Sequence, residues 1–192
     1  PDSDHFGKEI YIGSNETKVV IVDVTDKNNP ELISQFYYDD EYTHQSWLTE
    51  DHRYALLGDE LDELDQSAQP WTLKDNVETR TIVIDISDLD NPILHFNYLS
   101  DTEAIDHNGY VVGSKFYLAS YTSGMRVIDI INIEQKSFTE EGFFDTHIDD
   151  HDHNTIKLTT PRWSDPGDHT GKKGQEIEAF NGAWSVYPYF NS

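Results

Sequence analysis

Apolar positions in this chain fall in short β-branched runs, each closed by an acidic or turn-forming residue. Three runs line up: "VVIVDVTDKNNPELI" (19–33), "TIVIDISDLDNPIL" (81–94) and "MRVIDIINIEQKSF" (125–138), built around Asp23, Asp85 and Asp129. Runs this short and this rich in Val and Ile predict strands rather than helices. In the first two an Asp/Asn/Pro turn follows, and Pro30 and Pro92 stand where a turn ends and a second short strand begins, a place where proline is tolerated. The third copy has no proline and is the weakest match. Another strand is predicted at "EIYIGSN" (9–15), "YALLGD" (54–59) and "FYLASY" (116–121), and a further one at "HQSWL" (from His44), "HNGYV" (from His107) and "NGAWS" (from Asn181).

Each unit thus holds four short strands, here called A (the His/Asn element), B, C (the Asp element) and D. Asp85 and Asp129 are 44 residues apart, whereas Asp23 and Asp85 are 62 apart, and the excess falls between B and C, within 60–77. A second excess lies between D and the next A, at about 146–179. A period of about 44 residues with four strands is that of a β-propeller blade. The expectation is an all-β chain, one propeller segment over 1–192 made of four-stranded antiparallel blades and covering about three to four of them. "FNGAWSVYPYF" (180–190) then reads as strand A of a following unit. The exposed edges of such a segment call for the rest of a propeller, or further subunits, to cover them.

Blade topology sorts residues by rim. D–A and B–C connections share one rim, which receives both insertions; A–B and C–D turns share the other, where short Asp/Asn/Pro turns serve turn chemistry. Charge sharpens the picture: 37 acidic against 13 basic residues leave a formal net charge of -24. That balance repels nucleic acid and anionic membrane surfaces and favours divalent cations. No apolar run approaches the roughly 20 residues needed to span a bilayer. Cysteine is absent, so disulfides and thiolate ligands drop out.

Three groups on the insertion-bearing rim can carry chemistry. In "DTHIDDHDHN" (145–154), alternation puts His147, Asp149, His151 and His153 on one side, a ligand set for a zinc-like ion. At the mouth of the channel, His44, Asp106, His107, Asn108 and Asn181 come from successive A strands and suit a metal with open positions, or an acid and a base. A structural alternative has the recurring His bonded to the recurring Asp of strand C or to a neighbouring backbone group. Third, "GDELDELD" (58–65) offers Asp59, Glu60 and Asp62 to calcium, although it lacks the EF-hand pattern. Trp71 and Trp163 on the same rim can stack on sugars or peptides, or pin the insertions to the blade tops.

The strings "VIVDVTDKNNP", "YTHQSWLTEDHRYALLGDELDE", "TRTIVIDISDLDNP", "AIDHNGYVVG" and "YTSGMRVIDI" resemble the LVIVD-repeat proteins of the choice-of-anchor B family, from about Gly7 to Phe190. The resemblance implies a secreted or surface-displayed bacterial propeller and supplies no catalytic residues. The stretch 147–179 is longer and richer in His than that family's pattern. Two functions follow as expectations. One is an extracellular binding module with a divalent metal, calcium or zinc-like, on its loaded rim and a protein or glycan partner. The other is a metal-dependent, hydrolase-like enzyme working at the channel mouth.

Overall fold

A computed structural model describes residues 4–39, 42–65, 72–73, 77–146 and 182–189. Its strands are β1 (Ile10–Ser14), β2 (Val19–Asp23), β3 (Glu31–Phe36), β4 (Thr43–Leu48), β5 (Tyr54–Asp59), β6 (Leu64–Asp65), β7 (Thr72–Leu73), β8 (Arg80–Asp85), β9 (Ile93–Leu99), β10 (Gly109–Val112), β11 (Lys115–Ala119), β12 (Met125–Asp129) and β13 (Thr139–Phe144). They form three antiparallel blades, ordered β1-β2-β3, β4-β5-β8-β9 and β10-β11-β12-β13, with β6 and β7 as a separate small hairpin inside the 60–77 insertion. The first blade holds B, C and D; the other two hold A to D. Among the described residues no helix is long and apolar enough to cross a membrane.

The repeat survives into backbone detail. Each C–D pair shifts register one step before the recurring Asp, between Ile21 and Val22, Val83 and Ile84, and Val127 and Ile128. Such a bulge increases local twist, so the same bend recurs in every blade. The recurring Asp then closes the turn on the bare rim. Asp23, Asp85 and Asp129 accept from the backbone N–H of Thr25, Ser87 and Ile131, each two residues on, at 2.9, 2.9 and 3.0 Å. A cation near the start of strand B completes each device: Lys8 on Asp23, Arg53 on Asp85 and Lys115 on Asp129. These contacts hold all three carboxyls below their usual range. The alternative that pairs them with the strand A histidines therefore fails, because C ends on one rim and A begins on the other.

The middle blade is buried on both faces, which is why its B and C strands read as unbroken apolar runs. Ala55, Leu57, Ile82 and Ile84 pack towards the first blade with Val19, Ile21 and Phe36. Tyr54, Leu56 and Val83 pack towards the third with Val111, Phe116, Leu118 and Ile128. In the third blade, where the proline is missing, a single 3-10 turn (Ile133–Gln135) and a left-handed Lys136 make the C–D connection instead. Strand β4 lies against both β1 and β10, so strand A sits innermost. Residues 182–189 make no ladder of their own. Their one bridge, Ala183 to Tyr121, matches the bridge of Glu16 to Thr43 one blade earlier.

Candidate metal centre

Two matching bridges, Glu16 to Thr43 and Tyr121 to Ala183, fix the equivalence at two blade boundaries. Glu16, Glu60 and Tyr121 each stand two positions past the last strand B residue paired with strand C, and by the same alignment Asp106, just before His107, corresponds to Thr43 and Ala183. His44, His107 and Trp184 come next in turn. The equivalence of "NGAWS" with the histidine strands is thus offset by three residues: Trp184 stands where His44 and His107 stand, while Asn181 lies outside the described residues. Gly182 permits this approach. Its φ is +99°, and a Cβ there would meet the Tyr121 carbonyl oxygen at 2.1 Å.

Two local features aim the histidines. In β4 the register passes from Thr43 opposite Asp59 to Gln45 opposite Gly58, leaving His44 as an unpaired bulge residue turned towards the rim. His107 is held from behind by its N–H, which donates to the Ala119 carbonyl at 2.8 Å. Their rings meet with centroids 4.1 Å apart. Glu60, first residue of the insertion, turns back to both: His44 Nδ1 lies 3.2 Å from Oε2 and His107 Nε2 lies 3.5 Å from Oε1. Tyr121 fixes that carboxylate by donating its hydroxyl proton to Oε1 at 2.7 Å, with its ring edge-on to His107. One ligand atom from each of His44, Glu60 and His107 lies within 4.8 Å of the others. Around an ion with bonds of about 2.1 Å, ligand atoms stand about 3–4 Å apart, so the set needs little closure. Two imidazoles and a carboxylate suit zinc, manganese, iron or nickel and leave further coordination positions open.

Behind this trio the chain stores acid. Asp106 is fully buried, and neither carboxyl oxygen has a hydrogen-bond partner among the described residues. Burial, then repulsion from Asp62, Asp59 and Glu60, pushes its pKa well up. Glu63, equally buried, is pushed up by burial and then by Asp62 and Asp106. Burial raises Asp59 to about 7, with Asp62 adding to the effect and Arg80 opposing it. His107 moves the other way, to about 4, through burial and then His44, so its imidazole is neutral and ready to ligate at pH 7.

Not all the expected groupings form. Asp59, Glu60 and Asp62 do not converge as a calcium set: Arg80 reaches Asp62 at 2.7 Å and Asp59 at 3.4 Å, a guanidinium where an ion would sit, and Glu60 faces the histidines. Asn108 makes a backbone contact, its carbonyl accepting from the Ala119 N–H. His147, Asp149, His151 and His153 lie outside the described residues, as do Trp71 and Trp163. Tyr121 is the partner that reading by residue type misses, as the end of a strand, and Glu60 is grouped there with Asp59 and Asp62 for calcium, one acid among five in "GDELDELD", rather than with the histidines. Their shared position after strand B, in step with Glu16, was the available signal.

No curated protein matches the chain. A family model described as "Beta propeller domain" matches residues 4–185. With the repeated blades and the repeated inter-blade bridges, that match establishes that the chain belongs to the beta propeller domain family.

Proposed function

We propose that this propeller segment is a metal-binding module that presents a transition-metal ion at the mouth of its channel. The carrying observation is the convergence of His44, Glu60 and His107 on one point of the insertion-bearing rim. Asp106, without a hydrogen-bond partner among the described residues, supports it, since a buried unpaired carboxyl costs roughly 1–3 kcal/mol and is retained where a ligand completes it. Three protein ligands suit an ion that takes its remaining ligand from outside, either a group on a partner or a water. The finer assignment to the LVIVD-repeat, choice-of-anchor B proteins rests on the strings quoted above. It places the module outside the cell, secreted or surface-displayed, with an extracellular protein or glycan as partner.

The open positions also sustain a second reading, a hydrolase-like enzyme. There the ion would activate a water, and Asp106, deprotonated as the ion binds, would be the nearby buried base. Elemental analysis of the natively purified protein, beside a variant with both His44→Ala and His107→Ala, tests the shared premise. One transition-metal ion per chain, lost in the variant, is expected; equal and negligible metal in both would refute it. Screening the loaded protein on ester, phosphoester and glycoside substrates then separates module from enzyme.

A further inference from the structure

Residues 182–189 reach the metal centre through a few contacts, and the principal ones meet at Tyr121. The Ala183 N–H donates to the Tyr121 carbonyl at 2.8 Å, the one bridge of a segment that makes no ladder among the described residues. At its other end Tyr121 donates its hydroxyl proton to Glu60 and sets its ring edge-on to His107. A single residue thus joins the segment to the carboxylate and to one imidazole of the centre. Trp184 lies directly against His107, with ring centroids 5.0 Å apart. Tyr121 itself holds a φ of +25°, a left-handed backbone that a bulky residue adopts only where its surroundings impose it. Those surroundings include the Ala183 and Gly124 N–H groups on its carbonyl, at 2.8 and 3.0 Å, and Glu60 on its hydroxyl.

The segment is held lightly. Past Trp184 its hydrogen bonds to the third blade are one shared by the Ser185 and Tyr110 hydroxyls at 3.3 Å and one from the Tyr189 hydroxyl to the Val111 carbonyl at 2.6 Å, while Trp184 and Tyr187 stay 63% and 62% exposed. A stretch with one bridge and little burial belongs to the low-stability end of a fold, where local opening comes first. Blades or subunits that cover the outer face of the segment leave these contacts in place, because all of them are made with the third blade. Opening takes the Ala183 bridge and the Trp184 ring away together. Tyr121 then has one support fewer in its strained backbone, and Glu60 and His107 lose what orients them. Contacts of this kind, one step out from the ligands, typically carry 10–100-fold in metal affinity. We infer that 182–189 is a metal-coupled latch: docked, it organises Glu60 and His107 for the ion, and the bound ion fastens the segment in turn. The coupling is reciprocal, so the factor by which docking raises metal affinity is the factor by which metal favours docking. This rests on the metal reading above.

The test uses the full chain in two stages. Zinc and manganese titrations first establish metal uptake; no uptake overturns the metal reading and this inference with it. Two variants then loosen the latch without touching a ligand. Gly182→Ala drives a Cβ to 2.1 Å from the Tyr121 carbonyl oxygen and so undocks the segment, and Trp184→Ala removes the ring beside His107. Each is expected to bind metal about tenfold more weakly, and Trp184→Phe, which keeps a ring there, to recover most of the loss. In wild type, hydrogen exchange of 182–189 followed by mass spectrometry is expected to slow about tenfold on saturation with metal, matching the affinity lost in Gly182→Ala. In the protein carrying both His44→Ala and His107→Ala, exchange of the same segment is expected to ignore metal. Uptake with affinity unchanged in either alanine variant, or wild-type exchange of 182–189 indifferent to metal, overturns this inference alone.

Discussion

Replacing Asp106 with alanine separates fold from function at this site. The position tolerates the change, since its equivalents are Thr43, satisfied by the Tyr38 hydroxyl at 2.7 Å, and Ala183. In the metal-free protein the substitution deletes a buried, neutral carboxyl whose two oxygens have no partner among the described residues. Taking about 1 kcal/mol for each orphaned oxygen, because the acid is held protonated, and setting against it about 1 kcal/mol for the space left behind, the variant gains about 1 kcal/mol. At this chain length that is a rise of roughly 2–4 °C in Tm. Metal closes the difference. Wild type gains about 2.7 kcal/mol at a free-ion concentration of 100 Kd, whereas the variant, with affinity lowered about tenfold, gains less. Urea unfolding in chelator and in excess zinc or manganese measures both arms. A variant less stable than wild type in chelator, with metal affinity untouched, would show that Asp106 is structural and refute the reasoning.

Three further outcomes follow from the same geometry. Gly58→Ala places a Cβ 2.9 Å from Asp106 Oδ2 and 3.2 Å from the His107 carbonyl oxygen, so it should cost about 1–3 kcal/mol by urea unfolding and weaken metal binding in the same protein. Tyr121→Phe removes the donor that orients Glu60; calorimetric titration should show metal affinity down about 10–100-fold with Tm nearly unchanged, and an unaltered affinity would discard the orienting role. Asp23, Asp85 and Asp129 ionise lower in the fold than the ordinary 3.8, so the stability they contribute is complete above that value and is lost as pH falls through the folded pKa. Asp85→Asn should therefore flatten the acid limb of a stability-against-pH curve while leaving metal uptake intact, because its turn lies on the opposite rim.

What the sequence made legible, and what it hid, divides along a physical line. Local pattern suffices where one residue type has one job. A β-branched run ended by Asp marks strand C because that carboxylate closes its own turn two residues on, a contact contained in the motif. The continuous apolar runs of β5 and β8 likewise announce burial on both faces. The metal site is different, since its members are assembled by contacts between blades. Glu60 has four neighbouring acids of similar type in "GDELDELD", and composition cannot say that it turns to the histidines while Asp59 and Asp62 turn to Arg80. Nor can a motif place Trp184 beside His107, because the offset of three residues is set by one bridge to Tyr121 and by a glycine with φ of +99°. The repeat nevertheless held the answer in coarser form. Once strands B and A are aligned by their pairing rather than by residue likeness, Glu60 and Tyr121 share a slot after B, and His44, His107 and Trp184 share a slot at the start of A. Those two slots meet across every blade boundary the structure describes. A channel mouth in a repeat protein is therefore better read by superposing slots than by collecting metal-friendly residue types, and the slots whose chemistry breaks the repeat, Asp106 after Thr43 and Trp184 after two histidines, are where the ligand should be sought.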